Sequence, residues 1–510
     1  PGVLVSLDAL PLNANGKIDR KALPEPDLSS SSQYEPPQSK LEETLAAIWS
    51  EVLGVDRVGR HDNFFELGGH SLLALQVLAR IRAAGLQSLA LRDLFKSPVL
   101  CELALLASTG GNDVVGDTPL CPITRREQMP LSPAQKGLWL VDRMAGCSSE
   151  RIAYNMSAAL NLTGQLDTEA IKSTLDVIID RHEVLRTRYP ENEVGEPIAV
   201  IASENPVEVE WVDLVNLEGV QQHDQARQLM EEHAQRAFDL SSGPLLRAAV
   251  IRLSPRSHLL LLCAHHIVFD GWSEAVFIKE FVTTYRALIG EGKKVLPDLP
   301  IQYVDYAAWH EKALSGEAFE QSATFWRRYL SDAPPLSTLP GDFARPSQVS
   351  HAGSALSMTF SPDQSQALNK LAAQRGTTLF TLLLASFQLL MHRQTRQHDL
   401  IVGTVEPLIG FFVNVIPLRS RLSDGQIDFG HWLEQVQTSV LDAFDHQNVP
   451  FDKIVELSGI GRERDRSPLI QTLFVLQNTI WRYSSMRVIP DYQSSGSTPP
   501  HCTDAKPLST

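Results

Sequence analysis

Leu259-Leu260-Leu261-Leu262-Cys263-Ala264-His265-His266-Ile267-Val268-Phe269-Asp270-Gly271 is the most informative segment of this 510-residue chain. Its apolar run predicts a buried strand over 259–264, followed after Gly271 by a helix over 273–288. Two histidines then stand where the strand gives way to a loop, a common place for catalytic groups. Neighbouring strand residues point to opposite faces, so only one of the pair lines a given site, and no metal is expected there. A histidine simply satisfied by core hydrogen bonds is the competing reading of the motif taken alone. Around it, strands are predicted over 158–162, 246–253, 399–403 and 469–477. Helices are predicted over 168–182, 223–237, 321–330, 362–373 and 378–394. Strands and helices interleave, which gives an α/β class beyond about Met129.

The segment before it reads differently. Leu41, Leu45, Ile48, Trp49 and Val52 mark one apolar helix face, with Gly54 as its stop. A second helix is expected from Ser71 to Gly85, with Leu72, Leu75, Leu78 and Ala79 inward. Ser97-Pro98 reads as an N-cap followed by Pro at N1, opening a last helix to Leu106. Together these predict a small all-α bundle. Ser71 follows Gly68-Gly69-His70 at a helix start. A serine there is commonly only an N-cap, but the same position is solvent-accessible and its positive dipole end favours an attached phosphate.

Composition narrows the partners. The formal net charge of −15 argues against nucleic acid, whose phosphates need a basic surface. No apolar run reaches the length of a membrane span. Cys101, Cys121, Cys147, Cys263 and Cys502 are widely spaced without a C-x-x-C, which fits reduced thiols in the cytoplasm. The chain opens on Pro1, and a piece of something larger is expected.

The string Asp62-Asn63-Phe64-Phe65-Glu66-Leu67-Gly68-Gly69-His70-Ser71-Leu72 closely resembles the core of peptidyl carrier proteins. The resemblance implies that Ser71 bears 4′-phosphopantetheine, attached by a phosphopantetheinyl transferase. Further on, several segments resemble the condensation domains of nonribosomal peptide synthetases, in family order. They are Leu131-Ser132-Pro133-Ala134-Gln135-Lys136-Gly137-Leu138-Trp139, Arg181-His182-Glu183-Val184-Leu185-Arg186-Thr187-Arg188-Tyr189, Tyr303-Val304-Asp305-Tyr306-Ala307-Ala308-Trp309, Ile409-Gly410-Phe411-Phe412-Val413-Asn414 and His446-Gln447-Asn448-Val449-Pro450-Phe451-Asp452. Asn15-Gly16-Lys17-Ile18-Asp19-Arg20 looks like the last motif of an adenylation domain.

These resemblances imply a multidomain chain. An adenylation-domain tail covers 1–27, a linker 28–39, a four-helix carrier 40–107, a second linker 108–128 and a condensation domain 129–510. The last is expected to be two-lobed and chloramphenicol-acetyltransferase-like, with an N-lobe over 129–300 and an incomplete C-lobe over 301–510. By resemblance His266 is the catalytic histidine, and His265, Asp270 and Gly271 shape the site. Arg186 and Arg419 both remain candidate salt-bridge partners for Asp270. The implied reaction joins an aminoacyl or peptidyl thioester on this carrier to the amine on a downstream aminoacyl carrier. The donor would be supplied by an upstream adenylation domain. The reading Gly68-Gly69-His70-Ser71, rather than G-G-D-S, favours an L-configured donor. The alternative is a carrier and docking module with an inactive condensation domain. An epimerisation or heterocyclisation unit, or a stand-alone acetyltransferase, fits less well. Two departures from the family pattern stand out: only Val405-Glu406-Pro407-Leu408 fills a normally longer loop, and a polar, Pro-rich tail follows Asn478.

Overall fold

A computed structural model describes residues 34–69, 71–84, 86, 89, 91–108, 120–144, 151–203, 207–290, 296–334, 336–343, 354, 356–406, 414–422, 428–461 and 467–476. Among these, the side chains of Ser71, Leu72, Leu75, Ala79, Arg82, Ala83, Leu91, Phe95, Trp272, Val405 and Glu406 are not described. The adenylation-like motif at 15–20, Pro407-Leu408 of the shortened loop and the tail after Asn478 therefore lie outside the described residues, while Val405 and Glu406 of that loop end a strand, Asp399–Glu406.

Four helices form the N-terminal bundle: α1 (Lys40–Leu53), α2 (Ser71–Ala83), α3 (Leu91–Lys96) and α4 (Leu100–Ser108). Helix α1 begins where Ser39 Oγ accepts the Glu42 amide at 3.1 Å, and ends at Gly54 with φ 69°, a left-handed cap that glycine adopts without a Cβ penalty. Trp49 and Phe64, both fully buried, meet edge to face at 5.1 Å. Ala74, Val77, Leu78 and Ile81 turn the inner face of α2 onto the same core.

The expected start of the last helix needs correction. Ser97 and Pro98 do not cap it; α4 opens at Leu100. Their backbone is used otherwise: Pro98 O accepts the Phe64 amide at 2.9 Å, and Val99 bridges Asn63. The six-residue α3 is not foreseen by periodicity, because fewer than two turns leave no repeat to see.

The chain divides into two compact units. The first combines Pro1–Gly116 with Thr359–His398 and Ser420–His446. Within it Arg92 Nε of α3 donates to Asp445 Oδ2 at 2.7 Å, in helix Phe429–Asp445. Leu441 and Phe444 of that helix pack against the bundle core.

The second unit holds Asp117–Met358, Asp399–Arg419 and Gln447–Thr510. The strands, in chain order, are β1 (Asn155–Thr163), β2 (Thr187–Arg188), β3 (Val200–Ile201), β4 (Val209–Asp213), β5 (Leu246–Ser254), β6 (Ser257–His265), β7 (Asp399–Glu406) and β8 (Asn414–Arg421). A four-stranded sheet runs β1-β6-β5-β4, with only the β4–β5 pair parallel. Strands β2 and β3 pair with each other, as do β7 and β8. Alternation sends Leu260, Leu262 and Ala264 toward helix Gly271–Leu288, where Phe277, Phe281 and Tyr285 fill the core. It sends Leu261, with Ala249 and Ile251 of β5, against Ala226 of helix Gly219–Gln235.

Helices Thr168–Arg181, Gly271–Leu288, Pro362–Gln374 and Leu379–Thr395 fall where the sequence places them. Helices Gly219–Gln235 and Glu317–Tyr329 begin earlier than predicted, since a single apolar residue larger than alanine in each first turn, Val220 and Phe319, sets no periodic stripe. The strand predicted over 469–477 does not form in the described part, 469–476. Leu469 adopts φ 66°, and only a single parallel bridge, Gly403 to Leu473, is made. An apolar run needs a paired edge to become a strand, and here Pro468 precedes a turned backbone. Among the described residues, no helix is long and apolar enough to cross a membrane.

A testable consequence concerns the bundle. A core of this size supplies roughly 3–5 kcal/mol in all, and truncating a buried Phe costs about 3–5 kcal/mol. Phe64→Ala is therefore expected to unfold α1–α4. Hydrogen exchange on the intact chain checks this: peptides from 40–108 should lose protection while those from β5 and β6 keep it.

Candidate functional site

Strand β6 is bonded on both edges up to its last residue. Beyond that residue the chain is still held: His265 N donates to Leu245 O and His266 N to Tyr154 O, each at 2.9 Å. The turn closes with Val268 N to His265 O at 3.1 Å. Gln135 reaches the same turn from helix Pro133–Met144. Its Nε2 donates to Ile267 O at 3.1 Å and to Tyr189 Oη at 2.8 Å, while its Oε1 accepts the Ser132 amide at 3.2 Å. No periodicity or spacing assigns Gln135 this task; only its place in a quoted motif hints at it.

The two imidazoles sit in different surroundings and take different tautomers. His265, 1 % exposed, lies between the rings of Tyr154 and Phe238. Its Nδ1 accepts the Ile267 amide at 3.2 Å, so its proton is on Nε2. His266 Nδ1 lies 2.9 Å from the Phe269 carbonyl, which only accepts, so Nδ1 carries the proton and Nε2 is the basic nitrogen. Burial pulls the His265 pKa down to about 4, with His266 adding a smaller push. Burial also lowers that of His266, against a smaller upward contribution from its backbone hydrogen bonds. Both rings are neutral near pH 7.

Asp270 is fully buried. Its Oδ1 accepts the Ser273 amide at 2.8 Å and the Ser273 hydroxyl at 2.7 Å, and Ser273 Oγ accepts the Asp270 amide at 3.2 Å. This reciprocal cap starts helix Gly271–Leu288 directly behind the histidine turn. Both candidate arginines hold partners of their own. Arg419 binds Asp399, with Nη2 to Oδ2 at 2.6 Å, and Arg186 donates to Ala202 O at 2.5 Å. A Cβ on Gly271 would meet no atom within 4 Å, so open space adjoins the turn there.

Between the sheet and helix Gly271–Leu288 lies a small pocket, open to solvent, with a cavity volume of about 40 Å³. Ala264 of β6 and Phe269 of the turn both line it. In the other unit, Ser71 is the first residue of α2. The turn before it is tight: a Cβ on Gly69 would stand 2.4 Å from Phe64. A helix N-terminus with its free amides suits a phosphate ester. Among the described residues no cluster of three or more His, Cys, Asp or Glu is placed to hold a metal.

A helical bundle that presents a serine at a helix start, joined to an α/β unit with a histidine turn, describes a carrier fused to an acyltransferase-like domain. The family profile "Condensation domain" matches residues 125–499, and "Phosphopantetheine attachment site" matches 43–106. The chain therefore belongs to the condensation-domain family, and its upstream domain is a carrier bearing covalent 4′-phosphopantetheine. It is 37 % identical over 489 residues to tyrocidine synthase 3 of Brevibacillus parabrevis, covering 94 % of this chain and 7 % of that protein. It is 39 % identical over 490 residues to malpibaldin synthetase of Mortierella alpina, again 94 % of this chain against 9 % of that protein. The chain thus spans less than a tenth of the length of these relatives. Among solved structures, the X-domain from teicoplanin biosynthesis aligns with TM-score 0.62 and 28 % identity, over 70 % of this chain and 79 % of that one. The first condensation domain of the calcium-dependent antibiotic synthetase aligns at TM-score 0.56 and 20 % identity, over 69 % and 81 %, which speaks for the fold.

The buried imidazole sets a pH dependence. The His265 pKa in the folded state is depressed below the unfolded value of about 6.5, so the unfolded chain binds the proton first. Stability from this group is intact above pH 6.5 and falls as the pH drops toward about 4. Urea midpoints of the second unit measured across that range should show this slope, and His265→Gln should flatten it.

Proposed function

We propose that the chain is a working carrier–condensation segment of a nonribosomal peptide synthetase, with Ser71 as the attachment residue and His266 as the catalytic residue. The observation that carries this reading is the doubly held end of β6, which leaves His266 neutral with Nε2 as its basic nitrogen. The pantetheine arm supplies a thioester on a flexible tether. This chain's residues do the rest. The amine of an aminoacyl group on a downstream carrier attacks the thioester carbonyl. The C–N bond forms, the C–S bond breaks, the amine gives up one proton and the thiolate takes one. A free α-amino group has a pKa of about 7.7–8.0, so a useful share is neutral near pH 7 without a strong base. His266 Nε2 orients that amine and accepts its proton as the bond forms. His265 and Asp270 hold the turn from inside the core, and Gly271 leaves room beside it. An L-configured donor, an upstream adenylation domain and a phosphopantetheinyl transferase complete the setting.

The test is single-turnover transfer read by intact-protein mass. The chain is converted to its holo form, loaded at Ser71 and offered an aminoacylated downstream carrier. Ser71→Ala should gain no phosphopantetheine mass. Loss of a positioned acid–base group slows transfer by about 10²–10⁴-fold, the effect expected for His266→Ala. The acidic limb of the wild-type pH–rate profile should lie below about 6.5, the ordinary histidine value, because burial lowers the His266 pKa. A correctly loaded Ser71 with no transfer from the wild-type chain would leave only the carrier and docking role.

A further inference from the structure

The pocket beside the histidine turn contains one group that the reaction at His266 does not use. Glu274 lies in the first turn of helix Gly271–Leu288 and lines that pocket. An acidic residue near a helix N-terminus is ordinarily explained by the dipole, and such a side chain does best in solvent. This one lines a largely apolar pocket with Met156, Ala158, Leu262 and Phe277, Ser157 being the other polar residue there. Its carboxylate has no hydrogen-bond or ion-pair partner among the described residues, and burial alone raises its pKa. A half-buried carboxyl gives up part of its hydration, and a cation entering the pocket would replace what is lost. Helix capping does not need it, because Asp270 and Ser273 already form the cap.

We propose that Glu274 is a specificity-determining residue, and that the pocket selects an aminoacyl group with a cationic side chain. This rests on the reading of His266 as the reacting centre. The walls suit the chemistry: an amine or guanidine on a methylene stem lays its apolar part on Met156, Ala158 and Leu262 and its charged head on the carboxylate. Phe269 couples pocket to centre, since it lines the pocket and its carbonyl accepts from His266 Nδ1.

The experiment measures binding before turnover. Hydrolysis-resistant amide analogues, ornithyl- and norvalyl-aminopantetheine, are titrated by calorimetry against the full chain, its Glu274→Gln variant and its Glu274→Leu variant. The wild-type chain should prefer the ornithyl analogue by roughly ten- to hundredfold, the range of a charge-assisted hydrogen bond. Glu274→Gln should reduce that preference to a few-fold and Glu274→Leu should abolish it, with norvalyl affinity kept or improved as proof that the pocket is folded. Equal affinity for both analogues in the wild type, a preference unchanged in Glu274→Gln, or no binding of either analogue overturns the proposal. Dipeptide formation with ornithine loaded first as donor and then as acceptor assigns the pocket to one substrate. A binding preference that obeys Glu274 in a chain that forms no dipeptide sinks the reaction assigned to His266 and leaves the pocket's selectivity standing.

Discussion

The chain leaving strand β6 is held by the residues just before β1 and β5, and the site depends on that arrangement. Leu245 O holds the amide of His265 and Tyr154 O that of His266. A strand held on one edge alone frays at its end; here the last two amides are pinned from opposite sides. The turn beyond inherits this rigidity. Gln135 then binds the Ile267 carbonyl, and the Asp270–Ser273 cap fixes where the following helix begins. Within seven residues the backbone goes from sheet to turn to helix, and each step is closed by a hydrogen bond from a different element. Groups built on such elements hold their positions more closely than groups on open loops.

The same turn resolves the two histidines chemically. Adjacent in sequence, they differ in what their Nδ1 atoms meet: an amide for His265, a carbonyl for His266. A backbone N–H only donates and a carbonyl only accepts, so the tautomers are opposite. His265 keeps its proton on Nε2, inside a shell of Tyr154 and Phe238. His266 keeps its proton on Nδ1 and is basic at Nε2. If His266 is the reacting imidazole and His265 the structural one, that division of labour comes from backbone polarity.

Much of this was legible in the sequence. The apolar run before His265 needs a buried strand, and Gly54 stops α1 as capping chemistry requires. Strand alternation does not reach the second histidine, because β6 ends at His265 and His266 already belongs to the turn. What escaped was set by tertiary contacts. Nothing in Ser97-Pro98 shows that its backbone will pair with Asn63 and Phe64 in place of opening a helix. The apolar character of 469–476 resembles a strand, but the fold gives it one bridge to Gly403. Local pattern says what an element can become, and partners decide whether it does.

Around the turn, burial acts against charge at both histidines and at Glu274. It lowers His265 and His266 and raises Glu274. An environment of this kind favours a neutral nucleophile, because an α-ammonium entering it is pushed toward the free amine before any base is needed. The same pressure works against a cationic side chain, which would lose its proton or stay outside. A single carboxylate changes that balance at one point of the wall. Pairing with a cation favours the ionised form of Glu274 and keeps the cation charged, so each relieves the desolvation of the other. The two demands are compatible only if they fall at different places, a neutral amine at the histidine and a charged head at the carboxylate. The first turn of helix Gly271–Leu288 provides that separation within a few residues of chain.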